Sequence, residues 1–291
     1  MKHKIDPRID CVFKAILASD GNGNLLVHFL NAMLLGELQS PIESVDILNP
    51  YNEREFIDDK LSIVDVKARD AQGAIYQIEI QLLRYTDLPT RILYTWTDLY
   101  SQQLHRGDGY HVLEPTYSIW LLGENLISND EDYIHHFKVR DTKGNALVER
   151  SGGIWLAELE KLHTQQIDNE QHRWLKFFKE GGQLDDAHLP DWMETAEMRQ
   201  AMSILRQFSE KERDYHAYQA RQNYLREQNS IQRELEEQRQ GRLDAERREQ
   251  EARRREQEAR QHVQEANQRE QEARAEIDRL KALLEQTSGK R

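Results

Sequence analysis

Cysteine is almost missing from this 291-residue chain. Cys11 stands alone, which excludes an internal disulfide and fits a reducing, cytoplasmic setting. Its plain reading is a lone buried thiol. Long apolar runs are missing too: no stretch of about 18 apolar residues occurs, so no membrane span is expected. The opening Met1-Lys2-His3-Lys4-Ile5-Asp6-Pro7 is basic but turns polar at once, without the apolar centre of a signal peptide. No Ser-His-Asp or Cys-His arrangement is visible. His135-His136 is the one adjacent histidine pair, and neighbours in a strand point apart, which excludes a typical zinc pair. Gly21-Asn22-Gly23 is too short and wrongly placed to cradle a phosphate. A positive balance is also lacking. The net charge of −12 argues against a protein that coats nucleic acid, while leaving room for one local basic groove beside clustered carboxylates.

What is present divides in two. A hydrophobic fraction of 38% and a mean hydropathy of −0.87 are low for one compact globule, so some stretch must be solvated on nearly all sides. That stretch begins after about residue 205. Residues 1–205 hold all five tryptophans, whereas 206–291 contain no proline and are dominated by Glu, Gln, Arg and Ala. The second part carries 19 acidic and 20 basic residues, which leaves −13 to the first. Strong helix formers and Glu/Arg pairs at i,i+4 predict a long helix there. Arg-Glu-Gln-Glu-Ala-Arg repeats from Arg248, Arg255 and Arg269, placing Ala245, Ala252, Ala259, Ala266, Ala273 and Leu280 on one heptad position. The companion position holds Glu249, Glu256, Val263, Glu270, Ile277 and Leu284, so only the last heptads offer a greasy seam. Two readings stay open: a weak coiled coil that joins two copies of the chain, or an isolated charged helix.

Residues 1–205 read as mixed α and β. Asp10 to Leu17 and Leu25 to Leu35 have helical spacing, and Val45 to Leu48 makes a short strand. Leu61 to Lys67 and Ile75 to Leu82 are predicted strands joined by the turn Asp70-Ala71-Gln72-Gly73. Thr90 to Leu104 is a helix with Leu93, Trp96, Tyr100 and Leu104 as its expected buried face. Thr116 to Leu122 is the last clear strand. Trp155, Leu159 and Leu162, then Trp174, Leu175 and Phe178, mark further helices before Gly181-Gly182.

The strand pair concentrates the chemistry. Alternation puts Ile63, Asp65 and Lys67 on one face, and Gln77, Glu79 and Gln81 on the matching face of the second strand. Tyr76, Ile78, Ile80 and Leu82 are then the core side. A turn centred on Gln72 sets Asp65 opposite Glu79, Lys67 opposite Gln77 and Ile63 opposite Gln81. Directly opposed Cβ atoms lie ~4.5–5.5 Å apart. Two carboxylates so close repel, and one takes up a proton unless a divalent cation supplies charge to both. Oxygen ligands at an open position suit Mg²⁺ or Mn²⁺. The plain alternative is a solvent-facing hairpin with Lys67 as an ordinary surface partner.

A set of strings in order extends this reading. Asp10-Cys11-Val12-Phe13-Lys14-Ala15-Ile16 comes first, then Leu26 to Leu34, Asp65-Val66-Lys67-Ala68-Arg69-Asp70 with Gly73, and Ile78-Glu79-Ile80-Gln81. Arg91, Tyr94, Trp96, Tyr100 and Gln103 follow on a helix, then Gly107, Tyr110 and Pro115. Together they resemble the Rpn family of recombination-promoting nucleases, over roughly residues 5 to 125. The resemblance implies a restriction-endonuclease-like PD-(D/E)XK α/β core and a metal-dependent DNA endonuclease acting in recombination, mobile elements or defence. It implies Asp65 and Glu79 as metal ligands, joined by the backbone carbonyl of Ile80. The motif ends here in Glu-x-Gln, and Gln81 can orient a water or phosphate oxygen but supplies no positive charge. Lys67 is the candidate replacement for the missing ammonium, and Asp10 an outer-shell acid or a helix cap. Arg91, Tyr94 and Gln103 are candidate contacts to the DNA backbone, with Tyr94 and Trp96 equally readable as core. The rival function is a catalytically weak or inactive nuclease-fold binding module whose helical tail recruits partners.

Overall fold

The computed structural model describes residues 3–48, 65–163, 166–185 and 187–288. It forms two compact units, Met1–Leu225 and Arg226–Arg291. The first unit contains, in chain order, α1 (Asp10–Leu17), α2 (Gly23–Met33), β1 (Val45–Ile47), β2 (Val66–Asp70), β3 (Ile75–Gln81), α3 (Leu88–Ser101), β4 (Thr116–Leu122), β5 (Ile134–Phe137), β6 (Gly152–Glu158), α4 (Glu170–Glu180) and α5 (Ala196–Glu210). The long helix α6 (Glu212–Ser288) starts in this unit and accounts for the described part of the second. Among the described residues, no helix is both long and apolar enough to cross a membrane.

Local chemistry explains the framework. Helix α1 buries Val12, Phe13, Ile16 and Leu17, a stripe at helical spacing. The β2–β3 turn is tied by Asp70, whose Oδ1 accepts the N–H groups of Gln72 and Ala74, both at 2.9 Å. Gly73 sits there at φ +92°, a conformation that a side chain rarely adopts. Helices α4 and α5 start on side-chain caps, Asn169 accepting from His172 N–H and Thr195 from Met198 N–H.

Six strands form one sheet in the order β1-β2-β3-β4-β6-β5. The centre, β3-β4-β6, is parallel, and β2 and β5 pair antiparallel on its two sides. The apolar side chains of one face (Tyr76, Ile78, Ile80, Ile119, Leu121, Trp155 and Ala157) pack with α1, α2, α4 and α5 in the main core. The opposite face, with Trp120, Leu122, Ile154 and Leu156, packs with Leu88, Ile92 and Trp96 of α3. A parallel centre covered on both faces is the usual outcome when a helix makes the crossover, here α3 between β3 and β4.

Three expectations are corrected. The segment around Trp155 is the strand β6 followed by a short 3₁₀ turn, Leu159–Lys161, because its run Ile154-Trp155-Leu156-Ala157 is buried on both faces of the sheet. Thr116 to Leu122 is therefore not the last strand. The buried face of α3 is Leu88, Ile92, Thr95, Trp96 and Leu99, while Leu93 is 54% exposed. Finally, the plain alternative of a solvent-facing hairpin is set aside: Gln77 and Glu79 are buried, because they share the sheet face that α3 covers. The first residues of the predicted strand Leu61 to Lys67, with Ile63, lie outside the described residues.

Candidate active site

Strand β3 buries Ile75 through Ile80 without a break, so two polar side chains, Gln77 and Glu79, are carried inside. Burying such groups costs several kcal/mol unless they find partners. The cross-strand register supplies them. Val66 pairs with Ile78 and Lys67 with Gln77, which leaves Asp65, just before β2, beside Glu79. Each carboxylate then binds the other residue's strand. Asp65 Oδ2 accepts the Ile80 N–H at 3.1 Å, and the Asp65 N–H donates to Glu79 Oε1 at 3.3 Å. The N–H and C=O of one strand residue point to the same edge, so the Ile80 carbonyl faces the edge where Asp65 sits.

Two cations from opposite helical layers flank the acids. From α1, the Lys14 ammonium lies 3.2 Å from Asp65 Oδ1. From α3, Arg91 donates to Gln81 Oε1 at 3.4 Å, with its guanidinium 5.7 Å from the Trp120 ring centre. The amide of Gln81 is otherwise spent on the Leu83 carbonyl, at 2.9 Å. Beneath them, Gln77 Oε1 accepts from Ser118 Oγ at 3.1 Å, and Ser118 Oγ accepts from Trp120 Nε1 at 2.9 Å. Among the described residues, the buried Gln77 amide nitrogen meets no acceptor within hydrogen-bond geometry.

Glu79 feels this setting most. Only 4% exposed, it is pushed up to about 8, first by burial and then by the charge of Asp65. Arg91, the Asp65 N–H and the nearby Gln77 amide oppose the rise without cancelling it. A carboxylate held neutral near pH 7 beside a second carboxylate is a place where added positive charge would be well received. Among the described residues, no three His, Cys, Asp or Glu side chains gather as a cation cage. A cation here would therefore rest on two carboxylates, with a main-chain carbonyl and water completing its shell.

The remaining sequence candidates are scattered. Asp10 points to Arg221 of α6, with an Oδ1–Nε distance of 3.0 Å, and accepts the Cys11 N–H at 2.9 Å; it does not cap α1. Lys67 stands across from Gln77, two pairs further along the hairpin than the acids. Tyr94 is exposed on the outside of α3, while Trp96 is core and donates to the Thr116 carbonyl at 2.9 Å. Gln103 is far from the acids: its amide clamps Glu114 and the Thr116 hydroxyl, at the opposite end of β4. His135-His136 lies in β5, and His135 faces Glu158. Lys14 escaped the sequence reading as a partner of Asp65, and Gln77 was placed on the face of Glu79 without a role. Lys14 is in the Asp10-to-Ile16 string, but nothing local shows which distant acid a helical lysine meets.

A family model described as PD-(D/E)XK nuclease family transposase matches residues 7–235. No curated protein and no solved structure matches the chain.

Proposed function

The chain belongs to the PD-(D/E)XK nuclease family transposases, and on that premise we propose that it is a divalent-metal-dependent DNA endonuclease. In this reading it hydrolyses phosphodiester bonds during recombination, mobile-element activity or defence, in the cytoplasm. The observation that carries it is the Asp65–Glu79 pair, brought together at the start of β2 with one member buried and held neutral.

Asp65, Glu79 and the Ile80 carbonyl are the proposed holders of Mg²⁺ or Mn²⁺. Their all-oxygen character fits such ions, which keep several waters and seldom need more than two carboxylates. When bound, the ion would lower the pKa of a water, polarise the phosphoryl oxygen and stabilise the leaving oxygen. The protein's own residues do the rest. Glu79 must release its proton before it can act as a ligand. Arg91 orients Gln81 and offers a guanidinium to a backbone phosphate. Lys67, Tyr94, Gln103 and Asp10 are assigned supporting roles: Lys67 as a further cation on the same face, Tyr94 and Gln103 as DNA contacts, and Asp10 as an outer-shell acid. Residues 1–205 form the proposed nuclease domain, and 206–291 the helical tail, which joins two copies as a coiled coil.

One observation favours the rival binding module: both ends of the Gln81 amide are already engaged, by Leu83 and Arg91. Cleavage of supercoiled plasmid in Mg²⁺, Mn²⁺ or EDTA, with wild type beside Asp65→Ala and Glu79→Ala, separates the two. Metal-dependent nicking that disappears in both variants supports the nuclease. A folded wild type that holds DNA in either metal and never cuts it supports the binding module. Sedimentation of the full chain beside a truncation at Arg206 tests the tail: monomer in both removes the dimer.

A further inference from the structure

Helix α1 turns Val12, Phe13, Ile16 and Leu17 inward and leaves Lys14 on its outer flank. A groove runs along that flank, lined by Cys11, Lys14, Ile47, Leu48 and Asp65 among others. The Lys14 ammonium stands 3.2 Å from Asp65 Oδ1, and the two side chains are 39% and 14% exposed. The cation is therefore the outer member of the pair and the carboxylate the inner one. A ligand that approaches Asp65 along this groove meets Lys14 first. Gln81 brings no charge to the site, and its amide is engaged.

We propose that Lys14 supplies the positive charge that the Glu-x-Gln motif lacks, by binding a non-bridging oxygen of the scissile phosphate next to Asp65. This rests on the nuclease reading above. A lysine suits the task because its ammonium has three donors on a flexible stem, so one can stay with Asp65 while others reach a phosphate. The reaction leaves Lys14 unchanged. Water oxygen forms the new bond to phosphorus and gives a proton to bulk water, the ester oxygen departs with the electron pair of the broken bond and takes up a proton from bulk water, and the ammonium keeps its own proton while it meets the growing charge. Lys67, across from Gln77, is two pairs further from this point. The competing role is a partly exposed ion pair that only steadies Asp65.

The test uses the full chain as wild type, Lys14→Met and Lys14→Arg. Single-turnover cleavage in Mn²⁺ is measured with Mn²⁺ affinity by calorimetry and duplex affinity across a salt series in Ca²⁺. Lys14→Met is expected to cut at least about 100-fold more slowly, as for loss of one transition-state donor. Its salt dependence should lose about 0.9 from the slope of log K against log salt, the mark of one phosphate contact removed. Mn²⁺ should bind the variant no more weakly than wild type, and Lys14→Arg should recover part of the rate. Cleavage within about threefold of wild type overturns the proposal, and so does a rate loss matched by an equal loss of Mn²⁺ affinity. If wild type binds duplex but never cuts it, the nuclease reading fails, and the salt slope alone shows whether Lys14 contacts a phosphate; an unchanged slope rejects the contact. A wild type that neither cuts nor binds duplex overturns both.

Discussion

Glutamine in place of Glu79 keeps the shape of the side chain and removes its proton equilibrium. In the metal-free protein the carboxyl is pushed up to about 8, against an ordinary value near 4.5 in the unfolded chain. The folded state then binds more protons than the unfolded state between those values, so stability falls as pH rises from about 4.5 to about 8. At 1.36 kcal/mol per unit, the cost carried by Glu79 is about 1 kcal/mol at pH 5, on the order of 3 at pH 7 and roughly 5 above pH 9. Solvent screening does little to reduce it, since the side chain is 4% exposed. Glu79→Gln should therefore match wild type below pH 4.5 and become steadily more stable than it up to pH 9. Urea unfolding in EDTA at pH 5, 7 and 9 measures this directly. A stability difference that stays flat across that range, or a variant weaker than wild type at pH 9, would refute the reasoning. The same variant should be unable to cut DNA, an exchange of stability against activity often found at functional sites.

Other expectations follow from neighbouring features. Arg91→Met removes a charge that works to keep Glu79 ionised, so Mn²⁺ binding, followed by calorimetry, should need a higher pH than in wild type; an unshifted pH dependence counts against the arrangement. Glu158→Ala should cost about 3–5 kcal/mol in urea unfolding, since it removes the counter-charge of the buried Lys161 ammonium, 2.6 Å away, which keeps the Ile127 carbonyl, and strands the N–H groups of Leu126 and Ile127. Burial works to raise Glu158, but Lys161 and those N–H groups outweigh it and hold the carboxyl low. Its stabilisation is thus present above the ordinary carboxylate range and lost as pH falls through the depressed value, which acid titration of wild type against Glu158→Gln will show. A chain ending at Leu225 should melt within about 2 °C of the first transition of the full chain, as a shift of 1 kcal/mol moves a unit of this size by roughly 2–4 °C.

How much could be read beforehand depended on whether an element has one wet face. Helix α1 does, and its span Asp10–Leu17 was visible from spacing. The β2–β3 hairpin was legible through Asp70 and Gly73, which set the turn and with it the pairing of Lys67 with Gln77. Strand β6 has no wet face, so Ile154 to Ala157 show no alternation, and Trp155, Leu159 and Leu162 fall at helical spacing by coincidence. The stripe of α3 was misplaced because Thr95, a polar residue, sits in its buried centre, while Leu93 lies outside. The placement of Asp65 beside Glu79 was apparent from their spacing about the turn. The burial of Gln77 and Glu79 was not, since it comes from β4 and α3, elements whose placement no local pattern encodes.

The ends of the first unit are tied together. The His3 N–H donates to Ser209 Oγ across a separation of 206 residues, and the Asp6 N–H to the Tyr218 hydroxyl across 212. Arg221 reaches Asp10 at the start of the helix that presents Lys14. A growing polypeptide meets these partners late. While the ribosome is still making β6 or α4, Ser209, Tyr218 and Arg221 do not yet exist, and the helix bearing Lys14 lacks that clasp. Contacts of such long sequence separation form slowly and leave apolar surface open in the meantime. An incomplete product, released before residue 209, would carry both acids and an unfastened first helix. Synthesis itself thus delays the finished site until the whole first unit has emerged.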